Sequence, residues 1–127
     1  MKDRFFYLRL LRASLVLGAL YDLGFAALMV AAPQVPARLF SLPLPERFYL
    51  WLLAVLLSML AVLYLVAAED PRRYSAVVVV AAFGRCAGAA ALGIAAWSHP
   101  EFAGLWPLAT ADLAFGVVHG LLWKAQR

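Results

Sequence analysis

The chain has one cysteine, two histidines, seven acidic residues and only 14% charge in 127 residues. A lone thiol, Cys86, excludes an intrachain disulfide and leaves the redox compartment undetermined. The scarcity of charge is the stronger exclusion. Soluble domains are roughly one quarter charged and one half apolar, whereas this chain is 66% hydrophobic, more apolar surface than a water-soluble fold of its size can hide. No glycine-rich phosphate loop is present, and no serine or cysteine stands beside a plausible base, so nucleophilic catalysis has no candidate residue.

What the chain does have is four apolar runs of about 20 residues, the length a helix rising 1.5 Å per residue needs to cross a hydrocarbon core about 30 Å thick. The first runs from about Leu10 to Ala32 and stops at Pro33 and Pro36. A basic start before an apolar run also describes a signal peptide, but this run exceeds the usual 7 to 15 residues or so and holds Asp22 in its middle. Residues 33–47 carry Pro33, Pro36, Pro43 and Pro45, which lack the N–H that a continuous helix requires. This segment reads as an outer loop, with a short turn around Pro36–Leu42 lying in the headgroup region.

The second run, Phe48 to Ala68, has Tyr49, Trp51 and Tyr64 toward its ends, as membrane interfaces favour. Glu69–Tyr74 is a tight charged turn. The third run extends from about Ser75 to Trp97. Its Val77–Val80 stretch is also strand-like, but an unpaired strand in lipid leaves its backbone unsatisfied, so helix is the reading. Ser98–Gly104 forms the next turn, and the fourth run covers about Leu105 to Trp123. The expectation is an all-α fold, a single bundle of four transmembrane helices over residues 1–127.

Lys and Arg sort by side. Lys2, Arg4, Arg9, Arg12, Arg72, Arg73, Lys124 and Arg127 flank one side, and Arg38 and Arg47 the other. The positive-inside rule puts the first group, and with it both termini, in the cytoplasm. The localisation expected is a bacterial inner membrane, crossed several times. The net charge of +4 is explained by this asymmetry and does not require nucleic acid.

Arg85 and two of the seven acidic residues, Asp22 and Asp112, fall within spans, where a charge costs at least about 2.5 to 3.5 kcal/mol. Counted from the cytoplasmic ends, all three lie roughly 15 to 18 Å deep. Arg85 offers a planar fork of donors that suits two carboxylates at once. The expectation is an Asp22–Arg85–Asp112 cluster inside the bundle, either fixing how the helices pack or holding a polar ligand. Gly84 and Gly88 around Arg85, and Gly116 and Gly120 beyond Asp112, have the small-xxx-small spacing of close helix contacts, and Gly18 shares a face with Asp22. They are candidate packing residues, although one such face could instead be a dimer seam.

His119 stands two turns from Asp112 on the same face and could continue a titratable path toward Glu69 or Asp70, or could simply be a neutral buried histidine. His99 reads as a surface residue. The two histidines lie toward opposite sides, so one chain cannot give both ligands to a haem, and no set of metal ligands converges. No cofactor and no metal are expected. The run without internal charge, the second, is expected to be the most exposed to lipid or to a partner.

Tyr21-Asp-Leu-Gly-Phe25, Gly84-Arg85, Asp112-Leu-Ala-Phe115 and the four-span layout together resemble small four-helix bacterial membrane proteins of the DoxX-like kind. The resemblance covers most of the chain in layout and implies an accessory membrane subunit rather than a mechanism. The proline-rich loop departs from it. Three functional expectations follow: an accessory or interaction subunit partnered by a membrane protein or by its own copies; a binder or carrier of a lipid-like or quinone-like molecule at the charge cluster; and a proton-coupled small transporter. The last is disfavoured by the strong charge asymmetry and by Arg85, which neutralises the acid that small multidrug transporters leave free.

Overall fold

The computed structural model describes residues 2–127, with side chains from Arg4 onward. It consists of α1 (Lys2–Ala31), α2 (Gln34–Leu39), α3 (Arg47–Glu69), α4 (Ser75–Ser98), the 3₁₀ helix η1 (Pro100–Leu105) and α5 (Trp106–Ala125). The four long elements are long and apolar enough to cross a membrane. The four expected runs lie within them, but two boundaries move. α1 begins at Lys2 instead of about Leu10. Its 30 residues make it roughly 45 Å long, more than crossing a hydrocarbon layer of about 30 Å requires. η1 continues almost directly into α5, which runs on to Ala125.

The proline-rich segment contains a helix because its prolines fall where a helix tolerates them. Pro33 occupies the N-cap of α2 and Pro36 its first turn, positions whose N–H groups have no intrahelical acceptor. α2 ends in a Schellman motif. Ser41 takes φ 51°, and the N–H groups of Ser41 and Leu42 donate to the carbonyls of Arg38 and Ala37. The Phe40 carbonyl then comes down on Gly104 of η1, where a Cβ would overlap the carbonyl oxygen. Only glycine fits there, and the contact fastens α2 to η1 as a cap over one end of the bundle.

The long helices form two intimate pairs, α1 with α3 and α4 with α5, joined chiefly by α1 against α5; α3 barely touches α4. Both chain ends and the α3–α4 turn lie at one end, where Arg12 donates to the Glu69 carbonyl and Arg72 to the Gln126 side chain. An apolar layer of Leu11, Leu15, Ala67, Ala68 and Val78 closes the interior there. The second run, now α3, is not the least buried. Its most apolar window is 28% buried, against 17% for the η1–α5 window, because α3 packs along the full length of α1.

Candidate functional site

Arg85 leaves the middle of α4 and reaches across to both helices of the α1–α5 contact. Its Nη2 donates to Asp22 Oδ1 at 2.8 Å and to the Gly18 carbonyl at 3.2 Å, and its Nη1 donates to Asp112 Oδ1 at 2.6 Å. Exposure is 6% for Arg85, 0% for Asp22 and 18% for Asp112. One guanidinium thus ties three helices, and α3 closes the site with an aromatic ring. Tyr64, Tyr21 and Phe115 surround the guanidinium carbon with ring centres 5.3, 5.4 and 5.2 Å away. Such rings present their negative faces to a cation, an attraction that grows as water is removed.

Tyr64 is therefore not an interface residue, as its place in the second run suggested, but part of the core at 3% exposure. Neither it nor Tyr21 nor Phe115 could be singled out beforehand, because an aromatic side chain in an apolar run carries no mark of the face it occupies. The one usable signal was register: Tyr21 adjoins Asp22, and Phe115 lies three residues after Asp112 on the same helix face.

The glycines divide. Gly116 is a true close contact, since a Cβ there would stand 2.6 Å from Cys86 Sγ and 3.0 Å from the Ala82 carbonyl oxygen. Gly88 leaves room for Asp112, whose Oδ2 would be 3.2 Å from an added Cβ. Gly18 lies against His119, Arg85 and Tyr64, while Gly120 only grazes Ala82. Gly84 packs against nothing within 4 Å, contrary to its expected role. With about 100° per residue, Gly84 is turned about 100° from Arg85 whereas Gly88 is only about 60° away on the same side. Cys86 is half-buried, with its sulfur against α5.

His119 is fully buried between Tyr64 and Phe115, with ring centres 6.0 and 5.9 Å apart. Among the described residues, no acid is hydrogen-bonded to it on the side of the chain termini. The next turns there are the apolar layer of Leu11, Leu15, Ala67 and Ala68, and the Asp70 carboxylate accepts the N–H groups of Arg72 and Arg73 within its own turn. His99, by contrast, is exposed near Glu101.

Four buried polar atoms in this region make no hydrogen bond of good geometry among the described residues: Asp22 Oδ2, Arg85 Nε, and both ring nitrogens of His119, whose ring lies near the Ser14 backbone. The Trp123 ring N–H, nearer the chain termini, is also unpaired, whereas two other polar side chains in the helices satisfy themselves locally. Ser58 and Thr110 donate to the carbonyls four residues earlier. Buried polar groups are paired in the large majority of cases, so a group of four orphans is a concentration of unused hydrogen-bonding capacity. No group of three or more metal-ligating side chains occurs among the described residues.

A groove of about 520 Å³ runs between α1 and α5, lined by residues including Leu10, Ser14, Leu17, Ala114, Phe115 and Val118. Phe115 has two sides: one lines this groove, and the other lies against Arg85 and His119. A second apolar cavity of about 260 Å³ lies under the α2 cap, between Phe25, Met29, Phe40, Leu50 and Leu108. Comparisons with protein-family models, with curated proteins and with solved structures give no match for this chain.

Proposed function

We propose that the chain is a multi-pass protein of a bacterial inner membrane, with both ends in the cytoplasm, that binds a lipid-like or quinone-like molecule. One observation carries the reading. Arg85 and His119, both with unpaired buried polar atoms, lie behind a single ring, Phe115, from an apolar groove whose volume is in the range of small-molecule sites, roughly 300 to 1,000 Å³. An apolar body in the groove and a hydrogen-bonding end directed past Phe115 would use both. The Asp22–Arg85–Asp112 cluster in this reading orients the polar end and does no covalent chemistry.

Aromatic residues support the membrane placement. Phe48, Tyr49, Trp51, Trp97 and Trp106 are exposed toward one end and Phe5, Phe6 and Tyr7 toward the other, as the two interfaces of a bilayer favour. The charge asymmetry supports the orientation.

The test is purification in mild detergent followed by native mass spectrometry. A stoichiometric small amphipathic molecule is expected on the wild type. It is expected to be lost from Leu17→Trp, which fills the groove without touching the cluster. Protein free of any adduct sinks the proposal.

A second reading, an accessory or self-associating subunit, is favoured by Gly84. This glycine is exposed on α4 with open space around it, and exposed Ala87 and Ala91 follow on the same face. Small residues on an outward helix face permit close helix approach in lipid. A co-purifying polypeptide, or a dimer abolished by Gly84→Leu, is the outcome that supports it.

A further inference from the structure

At the end of the bundle that carries both termini, Arg4, Arg72 and Arg127 converge with Ser75 and Gln126 on one concavity of about 300 Å³. These residues come from four places in the chain: the first turn of α1, the α3–α4 turn, the start of α4 and the end of α5. Among the described residues no Asp or Glu side chain lines the concavity. None of the three arginines makes an ion pair among the described residues, where the ion pairs are those of Arg85 and His99. The nearby Asp70 carboxylate is engaged by its own turn.

The site is built, not merely charged. Gln126 is only 3% exposed, and its Oε1 accepts from Arg72 Nε at 3.3 Å, which holds that guanidinium while leaving its outer N–H groups free. Arg127 stacks over Trp123 at 4.0 Å, fixing a second. Ser75 opens α4, whose N-terminus has no side-chain cap; its free N–H groups and positive dipole end favour an anion.

Two ordinary explanations of these arginines fall short. Topology by the positive-inside rule needs basic residues near the span ends, but does not need them gathered in one hollow. Helix-dipole compensation suits Arg127 at the end of α5, but Arg4 stands in the first turn of α1, where a cation is repelled, and Arg72 lies in the turn between α3 and α4. Three guanidiniums gathered beside the positive start of α4 are stable with an anion between them, and planar forks of this kind match phosphate oxygens.

We propose that this concavity binds the phosphate of an anionic phospholipid headgroup. The neighbouring Phe5 and Phe6 are exposed beside Arg4 and give acyl chains an apolar surface next to the phosphate. Basic pockets between transmembrane helices recognise anionic headgroups in this way. The site is distinct from the midplane cluster and does not depend on the groove between α1 and α5.

The experiment is native mass spectrometry of the full chain, released from nanodiscs of equal phosphatidylglycerol and phosphatidylcholine. From about fivefold per basic residue near a charged surface, the wild type is expected to retain phosphatidylglycerol at least roughly tenfold over phosphatidylcholine. Arg72→Gln with Arg127→Gln, which removes two of the three charges, is expected to lower that ratio at least roughly tenfold. Arg9→Gln with Arg73→Gln removes equal charge outside the hollow and is expected to leave the preference in place. Equal retention of both lipids by the wild type overturns the proposal, as does an equal loss in both double variants. A parallel arm adds inorganic phosphate: displacement of the lipid by millimolar phosphate would assign the site to the free anion and overturn the lipid assignment. Matched circular dichroism of the variants separates lost binding from lost folding.

Discussion

Along the seam between α1 and α3, side chains fill the space: Leu11, Leu15 and Ala19 meet Ala61, Tyr64 and Ala67. Between α4 and α5 the backbones themselves come close, because Gly116 sits against Cys86 and the Ala82 carbonyl with no side chain between. The first seam has atoms that can be repacked. The second, at Gly116, has little to remove and no room to add more. Arg85 belongs to the tight pair and spends its donors on both, holding Asp112 within its own pair and Asp22 across the divide. Side chains thus set the shape of one half, glycine sets that of the other, and a single cation holds the halves in register.

The largest effect is expected where the two halves join. Arg85→Gln leaves two carboxylates without their cation in the bundle interior. Removing one partner of a buried ion pair costs about 3 to 5 kcal/mol, so unfolding in detergent should shift by that order, and a variant as stable as the wild type would break the assignment of Arg85 as the joint. Next is the backbone seam. Gly116→Ala forces a methyl group onto Cys86 and should cost about 1 to 3 kcal/mol as an overpacked contact. The same change should raise the rate of maleimide labelling at Cys86 as α5 is pushed away.

The side-chain seam should respond less. Leu15→Ala opens a cavity, but in lipid the apolar transfer contribution is small, leaving the lost packing contacts, about 1 to 2 kcal/mol. If Leu15→Ala proves more damaging than Gly116→Ala, the contrast between the seams is wrong. The smallest effect is expected at Gly84→Ala, which meets open space and should be neutral or gain up to about 1 kcal/mol from helix propensity. A large loss there would show that the α4 face is covered by another helix.

Much of this arrangement was legible in the sequence because lipid makes it so. A hydrocarbon layer fixes span length, and three charged residues at one depth announce each other. What escaped was everything set by azimuth. Gly84 and Gly88 share a spacing motif, yet only Gly88 faces Asp112, because a small rotation of the helix decides which of the two looks inward. Tyr64 was read as a boundary residue from its position along the helix, while its rotation puts it on Arg85. The start of α1 was placed too late because Arg4, Phe5, Phe6 and Arg9 mix charge with aromatics and so lack a uniform apolar signal. The α2 helix was hidden by the prolines that in fact begin it.

The Asp22–Arg85 pair spans 63 positions of the chain, and this gives the pair a temporal dimension. At about 5 to 20 residues synthesised per second, the carboxylate of Asp22 is made roughly 3 to 13 s before its partner exists. During that interval α1 holds an uncompensated acid, and α3, charged only at its end residues Arg47 and Glu69, brings no cation to its middle. Final seating of the first helix must therefore wait for the emergence of α4. A ribosome halted between residues 70 and 84 would hold a nascent chain whose first span is still extractable from the membrane by alkali, whereas release beyond Arg85 would lock it in place.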